Sequence, residues 1–256
     1  MSAPVFLADG TSLAALAPGA TYVLDGAEGR HAGVVQRKRV GERVDVVDGV
    51  GTRLVCVVAS VEGSEVRLTV DDVVAEPAPD VVVTLVQALA KGDRDELAVE
   101  AAVEVGADAV LPWQADRSVV VWRGERAARS RGRWIATVRS AVKQARRAWL
   151  PPVGEAVTTP QLAARVRSVV DAGGVALVLH EEATTPIAAA ALPTPGDATP
   201  ELLVVVGPEG GIAESEVQAL TGAGAVAVRL GPHVLRTSTA GPVAVALLSD
   251  RLGRWA

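Results

Sequence analysis

The chain has 256 residues, of which 49% are hydrophobic and 21% charged, and its formal net charge at pH 7 is -5. These values are ordinary for a folded protein long enough to form two domains, and the negative charge means that binding to nucleic acid requires a local basic patch. Cys56 is the only cysteine, which excludes an intrachain disulfide and a zinc site made of cysteines.

The N-terminal residues 1–6 contain no basic segment that leads into a long apolar run, so we predict that they are not a signal peptide. The apolar stretches elsewhere are too short to span a bilayer. We therefore expect a cytoplasmic protein.

Residues 1–75 are predicted to form a small β domain. Residues 42–49 alternate polar and apolar side chains and end in an Asp-Gly turn signal, and two further β-rich runs follow at 52–61 and 65–73. Short strands at such regular spacing indicate a small barrel. For the basic segment 31–39, which lies just before these strands, a short helix is the expectation.

Residues 76–80 read Glu-Pro-Ala-Pro-Asp and are predicted to be a linker, because two prolines in four residues disfavour the interior of both helices and strands. Beyond it, residues 81–256 show strands alternating with helices, which predicts an α/β domain with a mostly parallel sheet. The predicted strands are 80–90, 109–112, 175–180, 202–206 and 226–230, and the predicted helices are 93–105, 126–149, 160–172, 217–222 and 243–252.

Ligands of such sheets bind beyond the C-terminal ends of the strands, so the turns after His180, Val206 and Leu230 are the candidate sites. The turn Gly207–Gly211 reads Gly-Pro-Glu-Gly-Gly, and its glycines would let the backbone approach a ligand closely. An ordinary strand-to-helix turn explains the glycines equally well. The turn lacks the Gly-Lys-Ser/Thr ending of a Walker loop and the Gly-x-Gly-x-x-Gly spacing of a dinucleotide-binding loop.

A second glycine-containing turn, residues 230–240, follows the next predicted strand. Ser238 or Thr239 could cap the last helix, with Pro242 in its first turn, where a missing amide is harmless. Capping does not explain Arg236, which lies at the mouth of the same cleft.

These two turns resemble those of the SPOUT methyltransferases, and in particular those of the RsmE family, which methylates N3 of a uridine in 16S ribosomal RNA. The resemblance covers nearly the whole chain. The matching segments are Gly207-Pro208-Glu209-Gly210-Gly211, Leu235-Arg236-Thr237-x-Thr239-Ala240, His31-x-x-Val34-Val35-x-Arg37-x-x-x-Gly41, Lys91-Gly92-Asp93-Arg94, Glu104-x-Gly106 and Lys143-Gln144-Ala145-x-Arg147.

The resemblance implies a PUA-like, RNA-binding β-barrel over residues 1–75, a linker over 76–80 and a trefoil-knotted SPOUT domain over 81–256. It also implies a homodimer that acts on 16S ribosomal RNA or the small ribosomal subunit, with S-adenosylmethionine as the cofactor and no metal. The positions that match the cofactor loops are Leu179, His180, Glu181, Gly207, Pro208, Glu209, Gly210, Gly211, Ile212, Leu230, Gly231, Leu235, Thr237 and Ala240.

Arg236 is the candidate catalytic residue. Uridine N3 carries a proton at neutral pH, so its attack on a methyl group requires proton loss and stabilisation of charge on the flanking carbonyl oxygens, which a fixed arginine can provide. A contact with phosphate or with the second subunit is the alternative role for Arg236. Ser238 stands where the family commonly has glutamate, so no general base is assigned.

Residues 123–147 contain nine basic residues and a single acid, Glu125. A solvated helix face normally mixes both signs of charge, so the excess favours contact with an RNA backbone. The candidate RNA-binding residues are Arg37, Arg39, Arg94, Arg139, Lys143, Arg146 and Arg147.

Three other functions stay open on the sequence. The first is a SPOUT enzyme that methylates another RNA, including at ribose. The second, from a different class, is an RNA-binding ribosome assembly factor with a decayed cofactor site, although such a factor would not need all the glycines of the Gly207–Gly211 turn. The third and most distant is a nucleotide-dependent oxidoreductase.

Overall fold

The computed structural model describes residues 3–8, 10, 12–196 and 198–255, so part of the N-terminal segment examined for a signal peptide lies outside the described residues. The contacts within the chain divide it into two units. Unit 1 comprises Met1–Ala78 and Val142–Leu150, and unit 2 comprises Pro79–Ala141 and Pro151–Ala256. Residues 142–150, which the sequence analysis placed in the second domain, are thus grouped with unit 1.

Unit 1 contains a five-stranded sheet in the order β1-β3-β4-β5-β2, in which β1 and β3 pair in parallel and the other described pairs are antiparallel. The three longer strands confirm the predicted runs, whereas β1 and β2 are too short to show an alternation in the sequence. The helical segment begins and ends earlier than predicted, at 26–35. The elements are β1 (Val5–Leu7), β2 (Thr21–Leu24), α1 (Gly26–Arg30), a π-helical turn (His31–Val35), β3 (Arg43–Val47), β4 (Thr52–Glu62) and β5 (Glu65–Ala75).

The core of unit 1 is formed by alternate side chains along its strands, which point to the same face of the sheet. In β4, Leu54, Cys56 and Val58 are buried while their neighbours are more exposed, so one face of the sheet covers the core. Burial raises the pKa of the Cys56 thiol to about 12. This thiol is therefore a packing group and not a reactive one.

The segment Val142–Leu150 is held in unit 1 by backbone hydrogen bonds. Gly51 N donates to Ala148 O (3.3 Å) and Leu150 N donates to Gly49 O (2.9 Å). A Cβ on Gly51 would lie 2.6 Å from the Trp149 ring, so only glycine allows this approach. The predicted helix over 126–149 is therefore wrong at its end, because the chain leaves the helix before Trp149 to make these contacts.

Unit 2 contains a six-stranded sheet in the order β11-β9-β10-β6-β7-β8, and every described pair is parallel. This confirms the predicted α/β domain with a mostly parallel sheet. The elements are β6 (Val82–Ala88), α2 (Arg94–Glu104), β7 (Ala109–Gln114), α3 (Glu125–Ala145, its last residues in unit 1), β8 (Val157–Thr158), α4 (Thr159–Asp171), β9 (Val175–Leu179), a 3-10 turn (Ile187–Ala189), β10 (Glu201–Val206), α5 (Glu214–Gly222), β11 (Val226–Val228) and α6 (Thr237–Arg251).

The central strands are apolar on both faces because helices cover both. In β10, Leu202 and Val204 pack in a cluster with Leu248 of α6, whereas Leu203 and Val205 pack in a separate cluster on the other face. A strand buried on both sides shows a continuous apolar run in the sequence, which is why these strands could be predicted.

The last helix begins six residues earlier than predicted, at Thr237. Arg236 is its N-cap residue and makes no side-chain capping bond, so the predicted cap at Ser238 or Thr239 is wrong. Pro242 lies inside the helix instead of in its first turn. None of the helices in the described part of the chain combines the length and apolar character that crossing a bilayer requires.

Candidate functional site

A cavity of about 390 Å³ lies in unit 2, where the turns after β9 and β10 meet the beginnings of α2 and α6. We call it the strand-end cavity. An adjoining hollow of about 170 Å³ shares part of its wall and extends along the turn after β11. The residues that line the strand-end cavity are Arg94, Leu179, His180, Glu181, Val206, Gly207, Pro208, Glu209, Gly211, Ile212, Val234, Leu235, Arg236, Thr237 and Ala240.

The structure brings together almost all of the residues predicted to bind a cofactor. Of the fourteen, Leu230 and Gly231 line only the adjoining hollow, and Gly210 lines neither space. Gly210 packs against Arg117, whose guanidinium donates to the Gly210 carbonyl (3.1 Å). Arg236 lines the strand-end cavity, and so does Arg94, which had been predicted as an RNA contact.

The glycine turn after β10 has two positions that require glycine. A Cβ on Gly207 would lie 2.6 Å from the Ile212 side chain, and Gly211 has a φ of +73°, which side-chain-bearing residues rarely adopt. Gly211 N donates to Pro208 O (2.9 Å), which closes the turn. The glycines therefore serve a specific local geometry as well as leaving the cavity open.

A buried hydrogen-bond chain joins this turn to β6 and α6. The Thr237 hydroxyl donates to Gly207 O (2.7 Å) and accepts from Gln87 Nε2 (2.8 Å), and Gln87 is fully buried. Sequence reasoning missed Gln87. The signal was present as the one amide side chain in the mostly apolar run over 80–90.

We expect Thr237→Val to lower the free energy of unfolding by about 1–3 kcal/mol, because a nearly isosteric side chain would take the hydroxyl donor from Gly207 O and one of the two acceptors from the buried Gln87 amide. Urea denaturation measures this loss. Thr239→Val is the matched control, since Thr239 is exposed and its hydroxyl bonds to no described residue. Equal stabilities of the two variants would contradict the assigned role of Thr237.

Glu209 provides a carboxylate at the edge of the strand-end cavity. Its Oε1 accepts from Lys91 N (3.0 Å) and from Arg94 Nη1 (3.1 Å). Partial burial acts to raise the pKa of Glu209, but the backbone N–H groups of Glu209 and Lys91 and the Arg94 guanidinium outweigh it, and the net pKa is lowered. Glu209 is therefore negatively charged at neutral pH.

We expect Arg94→Ala to raise the pKa of Glu209 toward its ordinary value of 4.5. A carboxylate whose pKa is lower in the folded than in the unfolded chain contributes stability that is complete above pH 4.5 and is lost as the pH falls below it. The variant should therefore lose less stability over that acid range. A carboxyl NMR titration measures the pKa, and Arg67→Ala in unit 1, which removes a partner of Glu65, is the control.

Behind the glycine turn, Glu216 of α5 is buried with three hydrogen-bond donors. Its Oε1 accepts from Asp116 N (2.9 Å) and from the Thr159 hydroxyl (2.6 Å), and its Oε2 accepts from Ala213 N (3.1 Å). The Thr159 hydroxyl in turn accepts from the Trp113 indole (3.2 Å). One carboxylate thus connects the start of α5 to the ends of β7 and β8.

The predicted RNA-binding residues fall into different environments. In unit 1, Arg37 and Arg39 are exposed, whereas Lys143 forms an ion pair with the buried Glu28 (2.8 Å). Arg146 is exposed, and its carbonyl accepts from Arg53 (2.7 Å). Arg139 and Arg147 are half-buried.

Acids from elsewhere in the sequence neutralise part of the basic stretch 123–147. Arg131 pairs with Glu155 (3.2 Å) and Arg133 pairs with Glu96 (3.2 Å). Because Glu96 and Glu155 lie outside the stretch, its free positive charge is smaller than its own composition predicts.

Comparisons with known proteins agree on a family. A family model described as an RNA methyltransferase domain matches residues 76–249. Ribosomal RNA small subunit methyltransferase E of Mycobacterium bovis is 51% identical over 93% of this chain and 89% of its own, and the Bacillus subtilis protein of that name is 31% identical over 90% of each. The structure of Neisseria gonorrhoeae ribosomal RNA small subunit methyltransferase E bound to S-adenosyl methionine has a TM-score of 0.84, with 27% identity over 98% of both chains.

Proposed function

We propose that this chain, which belongs to the family of ribosomal RNA small subunit methyltransferase E, methylates N3 of a uridine in 16S ribosomal RNA. S-adenosylmethionine is the methyl donor. The observation that carries the proposal is the strand-end cavity, where the glycine turn and the start of α6 place Arg236 beside the residues that match the family's cofactor loops.

The strand-end cavity fits S-adenosylmethionine in size and in chemistry. Its volume of about 390 Å³ is in the range of small-molecule sites. Leu179, Ile212 and Leu235 provide apolar surface for an adenine ring, and the carboxylates of Glu181 and Glu209 suit a ligand that carries positive charge. When bound, S-adenosylmethionine supplies a methyl group activated by the positive charge on its sulfur.

Arg236 is the group best placed to assist the chemistry. Its side chain is exposed to the strand-end cavity and forms no hydrogen bond or ion pair with the residues that the structure describes. Loss of the N3 proton leaves negative charge on the two flanking carbonyl oxygens of uracil, and guanidinium N–H groups can donate to them. Arg236 is therefore proposed as the catalytic residue.

The remaining features of the family are proposed for this chain as well. We assign residues 1–75 to a PUA-like barrel that binds RNA, 76–80 to a linker and 81–256 to a knotted SPOUT domain that forms a homodimer. Contact with the RNA backbone is proposed for Arg37, Arg39, Arg94, Arg139, Lys143, Arg146 and Arg147, of which the exposed Arg37 and Arg39 have the best support. The reaction is placed in the cytoplasm, where ribosomal subunits assemble.

Labelled S-adenosylmethionine and small ribosomal subunits from a strain that lacks the enzyme test this function. We expect label in 16S ribosomal RNA, and mapping of the modified nucleotide should place it on uridine N3. Transfer to ribose or to another RNA would reject the N3 assignment. An absence of transfer, together with an absence of cofactor binding by calorimetry, would reject the enzyme and favour an RNA-binding assembly factor.

A further inference from the structure

A second cavity, of about 230 Å³, lies in unit 2 between residues 90–96, which lead into α2, and the first half of α3. We call it the helix cavity. It adjoins the strand-end cavity across the start of α2. Lys91 lines the helix cavity, and its backbone N–H donates to Glu209, which lines the strand-end cavity. Arg94, three residues later, also lines the strand-end cavity. A ligand in the helix cavity would therefore lie next to the proposed cofactor site.

One wall of the helix cavity is the indole of Trp122. This side chain is only 9% exposed and packs edge-on against the fully buried Trp134, with 5.1 Å between the ring centroids. The Trp122 ring is therefore fixed in place. Its indole N–H donates to no acceptor among the described residues, so it is available to a ligand.

Ser130 of α3 adds a hydroxyl group to the same wall. The residue is 5% exposed, and its hydroxyl forms no hydrogen bond within the described part of the chain. The hydroxyl is accessible from the helix cavity and is therefore available to a ligand with a polar edge.

The charges around the helix cavity leave cations available at its rim. Glu96 is paired with Arg133 (3.2 Å), and the carboxylate of Asp95 accepts from two backbone N–H groups. Lys91 and Arg126 are exposed and form no ion pair with the described residues, against one exposed acid, Asp93. Such a rim suits a single phosphate group more than a long acidic segment.

We propose that the helix cavity binds one unpaired nucleotide of the RNA substrate. Its phosphate contacts Lys91 and Arg126, and its base lies against Trp122 with a polar edge at Ser130. Aromatic stacking combined with nearby cations is the usual way in which proteins hold single-stranded RNA. The inference rests on the proposed function, because it assigns a part of the same RNA substrate to a site that is separate from the methyl donor.

Calorimetry with uridine 5′-monophosphate tests the cavity directly. We expect the wild-type protein to bind it more tightly than inorganic phosphate, and Arg126→Ala and Ser130→Ala each to weaken this binding about tenfold. Trp122→Phe keeps an aromatic ring and removes the indole N–H, so a smaller loss is expected. Arg167→Ala is the control, since Arg167 is an exposed arginine of α4 that does not line the cavity.

Methyl-transfer kinetics separate this inference from the proposed function. We expect Arg126→Ala and Ser130→Ala to raise the KM for RNA about tenfold while the affinity for S-adenosylmethionine stays that of the wild type. If the wild type transfers methyl groups and these variants match Arg167→Ala in KM and in nucleotide binding, the helix cavity is not a nucleotide site and the proposed function stands. If the wild type neither transfers methyl groups nor binds S-adenosylmethionine but binds uridine 5′-monophosphate through Arg126 and Ser130, the proposed function fails and the nucleotide site stands.

Discussion

The Arg236→Ala variant is expected to methylate RNA about 10²–10³-fold more slowly while binding S-adenosylmethionine as tightly as the wild type. The Arg236 side chain forms no hydrogen bond or ion pair with the described residues, so its truncation should leave the fold and the cofactor cavity intact. The rate should fall because the variant no longer stabilises the negative charge on the uracil carbonyl oxygens. This charge develops only as N3 loses its proton, so cofactor binding is unaffected. Single-turnover rates, with calorimetry for the cofactor, measure the two effects separately.

The control for Arg236→Ala is Arg167→Ala, which removes one positive charge from an exposed position on α4 and should keep the wild-type rate. If Arg236→Ala raises the KM for RNA and leaves the single-turnover rate unchanged, Arg236 is a phosphate contact and not a catalytic residue. A loss of cofactor affinity alone would assign Arg236 to the cofactor site.

The Glu216→Ala variant is expected to lose about 3 kcal/mol or more of the free energy of unfolding, the largest stability effect that we predict. Glu216 is 2% exposed and its carboxylate is the acceptor for two backbone N–H groups and for the Thr159 hydroxyl, so its removal takes the partner from three donors, of which the Thr159 hydroxyl is buried. Denaturation in urea measures the loss.

The control for this variant is Glu214→Ala, which removes an exposed carboxylate from the first turn of the same helix and should cost less than 1 kcal/mol. Glu216→Gln keeps one acceptor oxygen but places an NH₂ group beside donors, so an intermediate loss is expected. A Glu216→Ala variant as stable as Glu214→Ala would show that water replaces the carboxylate.

The parts of this fold that could be predicted from the sequence are those with a local cause. The central strands of unit 2 are buried on both faces and therefore appear as apolar runs, and the turn Gly207–Gly211 stands out because its backbone needs glycine. The ends of α3 and α6 could not be predicted in this way. Each end is decided by contacts with distant residues, such as that between Trp149 and Gly51.

The hydrogen bonds that support the candidate site also join residues that are far apart in the sequence. Thr237 and Gln87 are 150 positions apart, and Glu216 and Asp116 are 100 apart, so no spacing along the chain reveals either pair. The pairing of Arg133 with Glu96 was hidden for the same reason. A buried polar residue in a mostly apolar segment, such as Gln87, is a sequence signal for such a bond.

The division of unit 1 into two stretches of the chain affects the order in which the protein can fold during its synthesis. The ribosome must make residues 79–141 before the stretch that contains Trp149 exists. At about 5–20 residues per second, this delay is on the order of several seconds. During that time Gly49 and Gly51 lack their contacts with the segment Val142–Leu150. Unit 1, which is the first to begin folding, therefore cannot finish until part of unit 2 has been made.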